Sequence, residues 1–116
     1  MGTGRALKRA NPAVRVVGVM PDDGLHGIEG LKHMPTAIVP AIYHPDELDS
    51  VVGIDTETAY AAARLLAARE GLLVGPSCGA AVAAALDLAR GLSDALIVVI
   101  LPDSGVRYLS TALFDE

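Results

Sequence analysis

Apolar and polar positions alternate along this chain in two periods, and the switches between them outline its elements. Gly4 to Ala10 reads as a basic helical turn with Leu7 facing inward. Asn11-Pro12 ends it, because a residue before proline is pushed out of the helical region. Val14 to Met20 is dominated by β-branched residues and is predicted to be a buried strand that Pro21 stops. Val51 to Ile54 is a second, short strand. Asp55-Thr56-Glu57-Thr58 then offers oxygen-bearing side chains to the orphan amides of a helix start. Ala59, Ala62, Ala63, Leu66 and Ala67 recur at helical spacing as far as Glu70, where Gly71 supplies a left-handed exit.

The second half repeats this alternation. Leu72 to Val74 is a short apolar strand, Gly75 to Gly79 a turn, and Ala80 to Ala89 an alanine-rich helix closed by Gly91. Ala95 to Leu101 is a continuous apolar run, as expected of a central strand covered on both faces, and Pro102-Asp103-Ser104-Gly105 turns the chain after it. Alternating strands and helices predict an α/β fold with a largely parallel sheet. Between the first two strands, residues 21–48 carry Pro21, Pro35, Pro40, Pro45, Gly24, Gly27, Gly30 and all three histidines without sustained periodicity. A loop of that length in a compact domain is functional or disordered. Val39 and Ile42 suggest that part of it packs down, so a substrate-facing loop is expected.

Composition narrows the function classes. The 116 residues are 52% hydrophobic and 20% charged, enough for one small globular domain with a core and not for two. The longest uncharged stretch, Gly71 to Leu86, is too short and too broken by glycine and proline to span a bilayer, so no membrane partner is expected. No basic leader with an apolar segment opens the chain, which makes a cytoplasmic location the expectation. A net charge of −5 with scattered basic residues argues against nucleic acid. The single cysteine, Cys78, has no internal disulfide partner, and His26, His33 and His44 lack metal-ligand spacing.

The segment richest in chemistry is Leu72-Leu73-Val74-Gly75-Pro76-Ser77-Cys78-Gly79-Ala80. It places one hydroxyl, Ser77, at the carboxyl end of a strand and the amino end of a helix, where open α/β sheets bind ligands. Gly75 to Gly79 fits the Gly-x-Ser-x-Gly nucleophile elbow of hydrolases. In that fold the histidine follows the serine, and here every histidine precedes Ser77. A structural alternative needs no ligand: Ser77 as the N-cap of a helix starting near Gly79 or Ala80.

Four stretches together decide among these readings. They are Gly2-Thr3-Gly4-Arg5, His26 to Met34, Glu70 to Ala81, and Val99 to Thr111 with its Arg107-Tyr108-Leu109-Ser110-Thr111 ending. In register over essentially the whole chain, they resemble the carboxyl-terminal part of the cysteine synthases (O-acetylserine sulfhydrylases). These are fold-type II pyridoxal phosphate enzymes, tryptophan synthase β-like three-layer sandwiches with a largely parallel sheet. The resemblance implies one domain over residues 1–116, continuing an amino-terminal part that carries the Schiff-base lysine and the phosphate cup. It also implies cysteine biosynthesis by β-replacement on O-acetylserine or a close relative with a sulfur nucleophile. Small-molecule substrates and a homodimer are implied for the complete enzyme.

Carried over by position, Ser77 would hydrogen-bond the pyridine nitrogen of pyridoxal phosphate. A neutral hydroxyl at a helix amino terminus does not hold that ring protonated as a carboxylate would. The weaker electron sink suits β-elimination with a departing acetate. Gly30 would belong to the mobile loop at the active-site entrance, and Lys32 and His33 would either attract an anionic donor or lie in a solvated loop. Asp103 would stand near the pyridine edge, or simply cap its turn. Gly2-Thr3-Gly4 falls, by register, in the helix after the phosphate cup. The only lysines are Lys8, on a charged helix, and Lys32, in the loop, and neither has the apolar surroundings that a Schiff-base lysine needs. Alone, the chain is expected to be inactive. The alternative is a non-catalytic fragment or binding partner of a full-length relative.

Overall fold

In the computed structural model, which describes residues 1–115, helix α1 (Gly2–Ala10) leads into strand β1 (Val17–Pro21). A long loop containing a 3-10 turn at Pro45–Glu47 follows, then strand β2 (Ser50–Ile54), helix α2 (Thr56–Glu70) and helix α3 (Pro76–Ala89). Strands β1 and β2 pair in parallel, Val17 opposite Ser50 through Pro21 opposite Ile54. A parallel pair needs a long crossover; here the loop provides it. Gly2-Thr3-Gly4 lies within α1, as the register implied.

The best-specified element is α2. Asp55 is its N-cap: its carboxylate accepts from the Thr58 amide at 2.8 Å and from the Thr58 hydroxyl at 2.5 Å. These hydrogen bonds hold the Asp55 carboxyl below the usual aspartate range. Gly71 closes the helix at φ +68°, the left-handed conformation that a Cβ disfavours. Its buried stripe is Ala59, Ala62 and Ala63, and these packed alanines receive α3.

Small residues make the α2–α3 contact unusually close. A Cβ built on Gly79 would overlap the Ala59 carbonyl of α2 and lie 3.0 Å from the Ala63 methyl. The buried residues Ile28, Ile54, Ala59, Ala62, Ala80, Ala83 and Ala84 form one core cluster between the helices, the strands and the loop. Ala63, Val74, Cys78, Tyr108 and Leu113 form a second cluster, toward the carboxyl end.

Several boundaries differ from the sequence reading, each for a local reason. The first strand begins at Val17 and includes Pro21, which serves as its last residue. Leu7 is exposed and α1 buries none of its residues; the helix is instead fastened by ion pairs, Arg5 to Glu47 at 2.6 Å and Lys8 to Asp49 at 2.7 Å. Val39 and Ile42 are exposed, and the residue that ties the loop to the core is Ile28, fully buried. Leu72 to Val74 makes only one antiparallel bridge, Val74 with Ser104, and residues 95–101 pair with no strand among the described residues. Helix α3 starts at Pro76, not near Gly79 or Ala80, because proline with its fixed φ suits the first helical position.

The helix seam yields a direct test. Replacing Gly79 by alanine drives a methyl into the Ala59 carbonyl and is expected to destabilise the chain by about 1–3 kcal/mol. Gly91→Ala, where a Cβ meets only the Leu88 carbonyl at 3.9 Å, should stay close to wild type. Urea denaturation of the two variants checks both outcomes.

Candidate functional site

The three residues singled out from sequence converge on the amino terminus of α3. Gly75 is the N-cap and contributes no side chain, so Ser77 is free of the capping role and sits inside the first helical turn. It is 7% exposed, the one buried polar side chain in the core among the described residues. No side-chain nitrogen or oxygen among the described residues is sealed from solvent without a partner. The Ser77 hydroxyl, which no described group engages, therefore keeps a small open surface rather than being entombed among aliphatic neighbours.

That open surface is where the loop approaches. Gly30 has φ +92°, and a Cβ built on it would lie 3.7 Å from Ser77 Oγ. A side chain at position 30 would thus cover the hydroxyl from the loop side. Two hydrogen bonds anchor this part of the loop to α2: the Gly27 amide donates to Thr56 Oγ1 at 2.9 Å, and the Tyr60 hydroxyl donates to the Gly27 carbonyl at 3.0 Å. Lys32 is exposed, and His33 Nδ1 lies 2.8 Å from Thr36 Oγ1 within the loop itself.

Asp103 takes neither the turn-capping role nor an open position. Ser104 instead caps the following 3-10 turn, Gly105–Tyr108, by accepting from the Val106 amide. One Asp103 carboxylate oxygen accepts from the Tyr108 hydroxyl at 2.6 Å and the other from the Cys78 thiol at 3.4 Å. Asp103 also presses on Gly75, where a Cβ would collide with Oδ1 and with the Tyr108 ring. Both residues flanking the start of α3 are thereby fixed, and Ser77 stands between them.

The same contacts set the ionisation of the site. The hydrogen bond to Asp103, with burial second, pushes the Tyr108 phenol up to about 12. Burial pushes the Cys78 thiol up, which keeps it protonated and a donor. Tyr60, Tyr108 and Thr56 were not identified from the sequence. Their role comes from partners distant in the chain, although Tyr108 stands in a stretch that carried the resemblance. Among the described residues no cluster of histidine, cysteine and carboxylate has metal-binding geometry, and no helix is long and apolar enough to cross a membrane.

The Tyr108–Asp103 contact predicts a pH dependence. A phenol whose folded pKa lies above its unfolded value of about 10 adds stability that is complete below that value. The contribution is lost as pH rises through the folded value of about 12. Stability should fall over that interval, and Tyr108→Phe should remove this part of the slope. Tyrosinate absorbance, titrated alongside denaturation in both proteins, checks it.

Comparison with known proteins gives this geometry a context. The family model described as "Pyridoxal-phosphate dependent enzyme" matches residues 1–103. Cysteine synthase of Aquifex aeolicus is 47% identical over 100% of this chain and 37% of its own length. Cysteine synthase B of Pseudomonas aeruginosa is 43% identical over 99% of this chain and 38% of its own. A crystal structure of O-acetyl serine sulfhydrylase isoform 3 from Entamoeba histolytica superposes with a TM-score of 0.89 at 36% identity, covering 97% of this chain and 36% of that one. The chain thus spans just over a third of the length of the curated relatives it matches. With the likeness running the length of the chain, the protein belongs to the fold-type II branch of the pyridoxal-phosphate dependent enzyme family and is similar throughout to cysteine synthases.

Proposed function

We propose that this chain is the carboxyl-terminal portion, residues 1–116, of a cytoplasmic pyridoxal phosphate-dependent cysteine synthase. The complete enzyme would act as a homodimer on small molecules, converting O-acetylserine, or a close relative, and a sulfur nucleophile to cysteine. The observation that carries this reading is the Ser77 hydroxyl: at the amino end of a helix, buried but for a small open surface, and engaged by no described group. Its surroundings fit an aromatic ring nitrogen. The hydroxyl can donate, the loop approaches it with a glycine whose Cβ would stand 3.7 Å from it, and the Asp103 carboxylate is already engaged by Tyr108 and Cys78.

Pyridoxal phosphate, when bound, supplies the electron sink that lets a β-substituent leave an amino-acid substrate. The chain's own part is to place and tune it. Ser77 offers a neutral hydrogen bond, and the positive end of α3 opposes a proton on the ring nitrogen. Asp103 accepts from Tyr108 and Cys78, and through Gly75 and Cys78 it would fix the turn that aims Ser77. Gly30, on a loop tied to α2, is suited to admit substrate over Ser77 and then exclude water.

The non-catalytic alternative draws support from the lysines. Lys8 is engaged by Asp49 at 2.7 Å and Lys32 is exposed in the loop, so neither is a Schiff-base lysine for Ser77. In the isolated chain, borohydride treatment with the cofactor should therefore give no site-specific lysine adduct; specific reduction onto Lys8 or Lys32 would contradict the assignment. Cysteine formation from O-acetylserine and sulfide, once the rest of the family's chain is supplied, tests the catalytic reading. In that assembled enzyme Ser77→Ala should weaken cofactor binding by about fivefold, the equivalent of one hydrogen bond, and shift the cofactor's absorption. Unchanged affinity and spectrum would refute the role given to Ser77.

A further inference from the structure

Between β1 and β2, residues 29–43 hydrogen-bond only among themselves or back to Gly27 and Ile28 among the described residues. The placement of this stretch is therefore inherited from its two ends. At the far end, Glu47 and Asp49 meet Arg5 and Lys8 of α1 in partly exposed ion pairs. Pairs that solvent reaches hold little each. The near end is built differently. Ile28 is fully buried, and both backbone polar groups of Gly27 are taken by the start of α2, the amide by Thr56 and the carbonyl by Tyr60. Thr56 and Tyr60 lie one turn apart, on the same face of the helix. A Cβ at position 27 would stand 3.1 Å from Thr56 Cγ2 and 3.1 Å from Tyr60 Oη, so the close approach favours glycine.

Tyr60 also faces the other half of the site. Its ring, partly buried, packs against the cluster that contains Cys78 and Tyr108. Cys78 follows Ser77 in the first turn of α3, and Tyr108 donates to Asp103, which presses on Gly75. The apolar ring thus leans on the group that fixes the start of α3, while the polar tip holds the loop just before Gly30.

We propose that Tyr60, assisted by Thr56, is a positioning residue of this site: it sets the pivot at Gly27 from which Gly30 approaches Ser77, so that one side chain places the loop relative to the turn bearing the hydroxyl. The placement follows from the contacts above, and its consequence for turnover rests on the function proposed for the complete enzyme. Tyr60 acts through Gly27 and Gly30, raising the share of molecules in which the loop stands correctly over a bound substrate. Losing part of that share weakens apparent substrate affinity in proportion and leaves the chemical step alone.

Hydrogen exchange in the full chain, read residue by residue, is the first measurement. Tyr60→Phe keeps the ring and removes the hydroxyl. The amides of Gly27, Glu29 and Leu31 should then exchange about fivefold faster, the equivalent of one hydrogen bond, while those of Cys78 and Gly79 keep their wild-type rates. Tyr60→Leu, which also removes the ring, should speed both groups. Thr56→Val should loosen the loop as Tyr60→Phe does, and Thr56→Ser, which keeps the acceptor oxygen, should restore wild-type exchange. In the enzyme assembled with the rest of the family's chain, Tyr60→Phe should raise KM for O-acetylserine about fivefold with kcat and cofactor affinity unchanged. Wild-type rates at the loop in Tyr60→Phe, wild-type rates at Cys78 and Gly79 in Tyr60→Leu, or an unchanged KM in an active assembly would each overturn the proposal. So would Tyr60→Phe exchange that quickens evenly through α2 and α3. Loosening confined to the loop, in a chain whose wild-type assembly binds cofactor without forming cysteine, would refute the function proposed for the complete enzyme and uphold Tyr60 as the residue that positions the loop.

Discussion

The contact on which the rest of the structure depends is the approach of α3 to α2 at Gly79, where only a hydrogen fits against the Ala59 carbonyl. Close packing of this kind has no slack, because protein interiors are about as dense as organic crystals. It fixes α3 along its whole first turn, and Ser77 belongs to that turn. The position of the hydroxyl is thus set by backbone and alanine methyl groups rather than by a polar partner of its own. A hydroxyl held by its helix and left without a hydrogen bond among the described residues is available to a ligand.

Around that seam, the polar groups act as positioners. Asp103 receives the Tyr108 phenol and the Cys78 thiol, and presses against Gly75, so the turn before Ser77 is held from the carboxyl-terminal segment as well. The loop is held from α2 through Thr56 and Tyr60. Glycine at position 30, in a left-handed conformation, leaves the space above the hydroxyl open. Helix α2 holds both α3 and the loop, and the carboxyl-terminal segment adds a third restraint, which is how a short chain can hold a defined site near its surface.

Much of this was legible in the sequence, where local chemistry is decisive. Asp55 and Gly71 bound α2 as their capping and left-handed preferences require, and Ala59, Ala62 and Ala63 face the core at the expected spacing. Ser77 fell at a helix start, although proline at the first helical position moved that start ahead of the hydroxyl and ended its candidacy as a cap. The errors are tertiary in origin. Val39 and Ile42 are apolar but have nothing above them, and Ile28 does the packing expected of them. The run at residues 95–101 has the composition of a central strand, but pairing depends on a neighbour, and the described residues contain none. Tyr108 and Tyr60 act through partners that spacing does not reveal.

The central claim is that the Ser77 hydroxyl faces a neutral ring nitrogen of the cofactor. Nitrogen magnetic resonance of the assembled enzyme, loaded with pyridoxal phosphate labelled at the ring nitrogen, reads that atom directly. The account predicts an unprotonated, hydrogen-bonded nitrogen whose resonance moves when Ser77 becomes alanine. A protonated pyridinium, or a resonance indifferent to that substitution, would contradict it.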